Sequence, residues 1–147
     1  MATQHHSVVI VGGGAAGITV AALLRNRKNA PDVAIIEPSD KHWYQPLWTL
    51  VGGGVFDAEE SQRSEADLIP DGATWIKDRV ATFEPDANQV TLASGDTVTY
   101  EQLVVAAGIQ LDWHKVDGLV DAIGRGGVCS NYGYDKAPYT WACIEGF

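Results

Sequence analysis

Residues 7–17 read SVVIVGGGAAG, and the fold turns on this stretch. Ser7 to Val11 is a short β-branched apolar run, the pattern of a strand buried on both faces of a parallel sheet. It stops at glycines, and residues 15–29 (AAGITVAALLRNRKN) are then rich in helix formers. Arg25, Arg27 and Lys28 gather where cations complement a helix dipole, so a helix of about three turns is predicted. Asp32 to Ile36 repeats the β-branched character and ends on Glu37. Residues 7–37 therefore read as a βαβ unit whose two strands run parallel.

The turn inside that unit fits a dinucleotide pyrophosphate. A dianion can be held by free backbone N–H groups and a positive helix end, with no basic side chain. Gly12 permits the tight turn, Gly14 removes a Cβ that would bar the phosphates, and Gly17 lets helix and strand pack closely. Ala15 and Ala16 open the helix and offer their amides. Glu37, twenty residues beyond Gly17, stands where a carboxylate accepts ribose hydroxyls and disfavours a 2′-phosphate.

Working outward, residues 38–70 form a long connection with Trp43, Tyr44 and Trp48, the run Gly52-Gly53-Gly54, and an acidic patch from Asp57 to Glu65. Loops of this length are usually functional or disordered. Between 73 and 100, TWIKDRVATFEPD, NQVTLAS and TVTYE alternate apolar and polar residues around Pro85-Asp86 and Ser94-Gly95-Asp96. A three-stranded antiparallel meander is predicted there. Residues 103–108 (LVVAAG) return to a buried run, read as another central parallel strand. Residues 109–147 carry glycine-rich loops, and Tyr139 to Phe147 begins a further helix. The expected fold class is thus α/β: a Rossmann-like domain with a parallel sheet and an inserted meander. An NAD domain would continue with alternating strands and helices, so the meander favours FAD as the dinucleotide.

Composition narrows the remaining classes. The chain has 147 residues, 46% hydrophobic and 20% charged, enough for one domain with a core. No segment approaches the length of a membrane span. The formal charge of −9 argues against nucleic acid, which is held by clustered Lys and Arg. The start, MATQHHSVVIV, shows no signal-peptide pattern, so a cytoplasmic or peripheral membrane setting is expected. Cys129 and Cys143 lack metal-type spacing and read as free thiols. His5 and His6 fall in a segment expected to be mobile and without partners. There is no GxSxG elbow, no GKS or GKT loop and no Cys-x-x-Cys pair. No catalytic or metal-ligating residue is assigned.

The layout, with Ala106-Ala107-Gly108 after the return strand, resembles the flavoproteins with two dinucleotide-binding domains. Many members have threonine where this chain has Ala107. Within that superfamily the chain is most similar to the sulfide:quinone oxidoreductases, through VVIVGGGAAGITVAA (8–22), AIIEPSDKHWYQPLWTLVGGG (34–54), WIKDRV (75–80) and YEQLVVAAGIQLDW (100–113). The resemblance implies that Ala15, Ala16, Glu37, Gln45 and Val80 contact FAD, with Gln45 and Pro46 on the flavin side and Val80 near the adenine through its backbone. It places Ala107 and Gly108 beside the cofactor as well. It implies oxidation of sulfide, with two electrons passing through FAD to a membrane quinone.

The family's two essential cysteines, its second dinucleotide-like domain and its membrane-attaching helices are expected beyond Phe147, so this stretch alone is expected to be inactive and to bind FAD weakly. A homo-oligomer is compatible with these residues. Cys129 stands where the bacterial branch often has an accessory third cysteine, and Cys143 reads as structural. An NADH-dependent quinone-reducing flavoprotein and a non-catalytic dinucleotide-binding module are the alternatives.

Overall fold

The computed structural model describes residues 2–147. In chain order the elements are β1 (Thr3–Val11), α1 (Ala15–Arg25), β2 (Val33–Ile36), β3 (Lys41–Trp43), α2 (Trp48–Gly52), β4 (Gln62–Ser64), β5 (Thr74–Ile76), β6 (Val80–Glu84), β7 (Gln89–Leu92), β8 (Thr97–Val105), α3 (Leu119–Ala122) and α4 (Ala137–Glu145). They form two compact units. The first runs to His42 and again from Ser64 to Gly108, and the second comprises Trp43–Arg63 and Ile109–Phe147.

The first unit holds a six-stranded sheet in the order β5-β2-β1-β8-β7-β6. β1 lies parallel to β2, with Ile10 opposite Ile35, and parallel to β8, with Val11 opposite Val105. β6, β7 and β8 are antiparallel neighbours. This is the expected α/β class, a mainly parallel sheet extended by a three-stranded meander.

Alternation along β1 sends side chains to opposite faces of the sheet. Ile10, Val33 and Ile35 pack with Ala21 of α1 on one face. Val9, Val11, Ala34 and Ile36 join Ile76, Val90, Leu92, Val98 and Tyr100 on the other. All four residues of β2 are buried because both of its faces are covered, which is why the strand reads as a continuous apolar run.

The two edges of this sheet are joined by Lys77, Asp78 and Arg79 alone, because β5 ends at Ile76 and β6 begins at Val80. Six strands laid flat would put those edges about 24 Å apart. Four residue steps reach only about 14 Å. The sheet must therefore curl, and the cluster containing Ile76, Val90 and Val98 fills the concave side.

Several expected boundaries move. TWI lies in β5, parallel to β2, so the meander starts at Val80 instead of residue 73. β5 reaches the sheet at the open edge of β2, where Trp75 Nε1–H donates to the Glu37 carbonyl at 2.9 Å. The third meander strand and the return strand are one nine-residue strand, β8, because β1 offers pairing along its whole length. The expected buried run at residues 103–108 is not observed: Leu103, Val104 and Ala106 are half-buried, Ala107 and Gly108 are exposed, and Val105 is 61% exposed. β7 pairs β8 only over Thr97–Thr99, so among the described residues no strand covers the far edge of β8 at that end. His5 and His6 do not lie in a mobile terminus but within β1. His5 Nδ1 is 2.9 Å from Thr99 Oγ1, and buried His6 is 2.7 Å from Asp32.

In the second unit, α2 and α4 pack around Val51, Ala58 and Ala137, with Trp48 and Tyr134 at the margin. Residues 38–70 are therefore not a bare loop. They carry β3, α2, β4 and short 3-10 turns, one opened by a reciprocal capping box between Asp57 and Glu60. β3 and β4 pair as a separate two-stranded ribbon. Among the described residues, no helix is long and apolar enough to cross a membrane.

Candidate functional site: a glycine turn at the strand ends

Ligands of open parallel sheets sit beyond the carboxyl ends of the strands, and the first unit has a cavity there. About 370 Å³ in volume, it is lined by Val11 and Gly12 from the end of β1, Ile36, Glu37 and Pro38 from β2, Asp78, Arg79, Val80 and Phe83 around the start of β6, and Ala107 after β8.

The turn from β1 to α1 is fixed by backbone bonds. Gly12 N–H donates to the Ile36 carbonyl at 2.9 Å, and Ala106 N–H donates to the Val11 carbonyl at 2.8 Å. Gly12 has φ +106°, and a Cβ there would collide with the Ala106 carbonyl, so the turn itself demands glycine. At Gly17 a Cβ would strike the Gly12 carbonyl, which supports the expected role in close helix-to-strand packing.

Gly14 is different, since a Cβ built on it meets nothing within 4 Å. No described residue fills that space. It is the N-cap of α1 and has no side-chain cap, so the N–H groups of the first turn have no intrahelical partner and the positive end of the helix is open. Ala15 and Ala16, both exposed, form that first turn. An uncapped helix end beside an open glycine is suited to a dinucleotide pyrophosphate.

Glu37 is held rigidly next to this turn. Its Oε2 accepts Gly13 N–H at 2.8 Å and its Oε1 accepts Ser39 N–H at 2.8 Å. Each carboxylate oxygen keeps a further lone pair, enough for a ribose hydroxyl. Half-buried Val80 and Glu37 line the same cavity. Gly108, with φ +72° and open space around its Cβ position, follows Ala107 at the end of β8. The residues present fit the group that the sequence implies.

Sequence reasoning missed a layer behind the turn. Gly13 is buried, and a Cβ there would meet the carboxylate of Glu65 and the side chain of Glu37. Glu65 is 1% exposed. Its Oε2 is 3.4 Å from His42 Nδ1, and His42 Nδ1 is 3.2 Å from the Gly13 carbonyl. Burial raises the Glu65 carboxyl above its ordinary range, His42 opposes this, and Glu37 adds to it. In the sequence Glu65 is the last member of the acidic patch from Asp57 to Glu65, so no local signal marks it. Asp78, Arg79 and Phe83 are further wall residues that the sequence does not single out.

Gln45 and Pro46 belong to the second unit, in an exposed 3-10 turn at Gln45–Leu47. There they line a cavity of about 370 Å³ with Trp48, Thr49, Asn131 and Tyr132. Amide, aromatic and proline surfaces together suit a flat polar ring. Cys129 is exposed and Cys143 is half-buried on α4.

A family model described as pyridine nucleotide-disulphide oxidoreductase matches residues 6–134. The chain is 50% identical over 139 residues to the mitochondrial sulfide:quinone oxidoreductase of Dictyostelium discoideum, covering 94% of this chain and 31% of that protein. It is 44% identical over 146 residues to the mitochondrial sulfide:quinone oxidoreductase of Mus musculus, covering 99% and 32%. Among solved structures, the sulfide:quinone oxidoreductase of Aquifex aeolicus matches with a TM-score of 0.73 at 28% identity, over 97% of this chain and 32% of that one. The chain thus spans about a third of the length of these relatives.

Proposed function

Since the chain belongs to the pyridine nucleotide-disulphide oxidoreductase family, we propose that it forms the FAD-binding part of a sulfide:quinone oxidoreductase. The observation that carries this reading is that relatives of that name cover nearly the whole chain. The open helix end at Gly14 supports the cofactor part independently.

FAD, when bound, supplies the two-electron chemistry that takes electrons from sulfide and passes them to a membrane quinone. The chain's own residues bind and orient. First-turn amides of Ala15, Ala16 and Gly17, together with the end of α1, face the pyrophosphate, where charge–dipole attraction replaces a basic side chain. Glu37 accepts the ribose hydroxyls and Val80 meets the adenine through its backbone. Gln45 and Pro46 take the flavin side, the glutamine offering both donors and an acceptor. Ala107 and Gly108 leave room beside the cofactor. The quinone sets the full-length protein at a membrane.

Anaerobic addition of sulfide to the complete, FAD-loaded gene product tests this directly. Rapid loss of flavin absorbance, restored by a soluble quinone, is expected. Bleaching by NADH and not by sulfide would transfer the protein to the NADH-dependent quinone reductases. No bleaching by either would leave a dinucleotide-binding module without redox function.

A further inference from the structure

Residue 13 is gripped on three sides. Its N–H is taken by Glu37 at 2.8 Å, its carbonyl faces His42 Nδ1 at 3.2 Å, and its Cα side abuts Glu65. Among the described residues, Glu65 Oε1 is buried and has no hydrogen-bond partner, while its Oε2 lies 3.4 Å from the Nδ1 of His42. The His42 side chain is only 10% exposed. A carboxyl group so enclosed is costly to keep charged without a partner. Here its charge is disposed of through one imidazole, and that imidazole touches the peptide preceding the open glycine of the turn.

We propose that Glu65 is a positioning residue which, through His42, orients the Gly13 peptide in the phosphate turn and makes dinucleotide binding take up a proton. This rests on the FAD reading above. The groups facing the pair are Glu37 from the end of β2 and the turn itself.

The sign follows from charge. A pyrophosphate dianion arriving at the first turn of α1 disfavours a second negative charge on Glu65 and favours a positive one on His42. Whichever partner receives the proton, binding and protonation reinforce one another, so affinity is greatest at low pH and declines as pH rises. With the proton present, the Nδ1–H of His42 donates to the Gly13 carbonyl and holds that peptide plane. The Gly14 N–H, which shares that peptide plane, then points the opposite way from the carbonyl.

The test is titration of the complete apoprotein with FAD, followed by flavin fluorescence at constant ionic strength, from about pH 6 to about pH 8. For the wild type, the Kd is expected to rise roughly threefold or more across that interval, below the limit of about tenfold per pH unit set by one linked proton. Glu65→Gln, which keeps the volume, is expected to flatten the profile, and His42→Gln, which keeps a donor for Gly13, is expected to flatten it too. A wild-type profile that is flat overturns the proposal without need of any variant. A Glu65→Gln protein with the native thermal transition and an unchanged pH slope overturns it as well. If the wild type shows no saturable quenching, the FAD reading falls and this inference falls with it.

Discussion

Gly12 and Gly14 stand two residues apart, and the structure gives them different reasons to be glycine. Gly12 sits at positive φ against the Ala106 carbonyl, so the protein alone requires it. Gly14 faces open space, so no described residue demands it, and the FAD reading assigns that space to the pyrophosphate. Gly14→Ala should therefore leave the unfolding midpoint in urea almost unchanged, within about 1 kcal/mol for an N-cap change, yet weaken FAD binding tenfold or more. Gly12→Ala should cost roughly 1–3 kcal/mol from backbone strain alone, with the carbonyl clash added. Equal losses of stability in the two variants would remove the argument for a phosphate at this helix end. The three glycines and Glu37 were legible in the sequence because their spacing is itself the signal. Gly13, His42 and Glu65 were not, because what they share is contact across 52 residues of chain.

At the scale of elements, β2 is the strand on which both faces depend. Ile35 is fully buried against α1, and Ile35→Ala should lower unfolding free energy by about 2–5 kcal/mol in denaturant titration. The β6–β7 hairpin has a polar lock. Glu84 accepts from the hydroxyls of Thr82 and Thr91 and from the amide of Gln89. These bonds, with Thr82 first, then Gln89 and Thr91, hold the Glu84 carboxyl below its usual range. A depressed folded-state value means the bonds are fully present above the ordinary carboxylate pKa of about 4.3 and are lost as pH falls further. Amide protection in Val80–Leu92, taken relative to the intrinsic exchange rate at each pH, should fall below about pH 4 in the wild type, and Glu84→Gln should show a weaker fall. The alternation of these strands was readable from the sequence. Their partners were not: TWI alternates like a meander strand, and only the vacant edge of β2 assigns it to the parallel sheet.

For the molecule as a whole, a ligand that binds only the folded state stabilises it by mass action. FAD at a hundred times its Kd should add about 2.7 kcal/mol, read as an upward shift of the thermal transition, whereas NADP⁺ should not, because its 2′-phosphate would meet Glu37. An equal shift with NADP⁺ would contradict the assignment of Glu37 to a ribose. The net charge of −9 makes this test informative, since any anion held by so acidic a chain must be held locally.

The sequence by itself determined the class of the fold and the place of the glycine turn between β1 and α1, because period-two apolar runs and glycine spacing are local patterns with local physical causes. Only the tertiary structure decided which strand pairs with which and that the chain forms two compact units. It also decided that a glutamate from an acidic patch lies buried behind the turn. Pairing and burial depend on which surfaces are left uncovered once distant segments meet, and that is not written in any one window of residues.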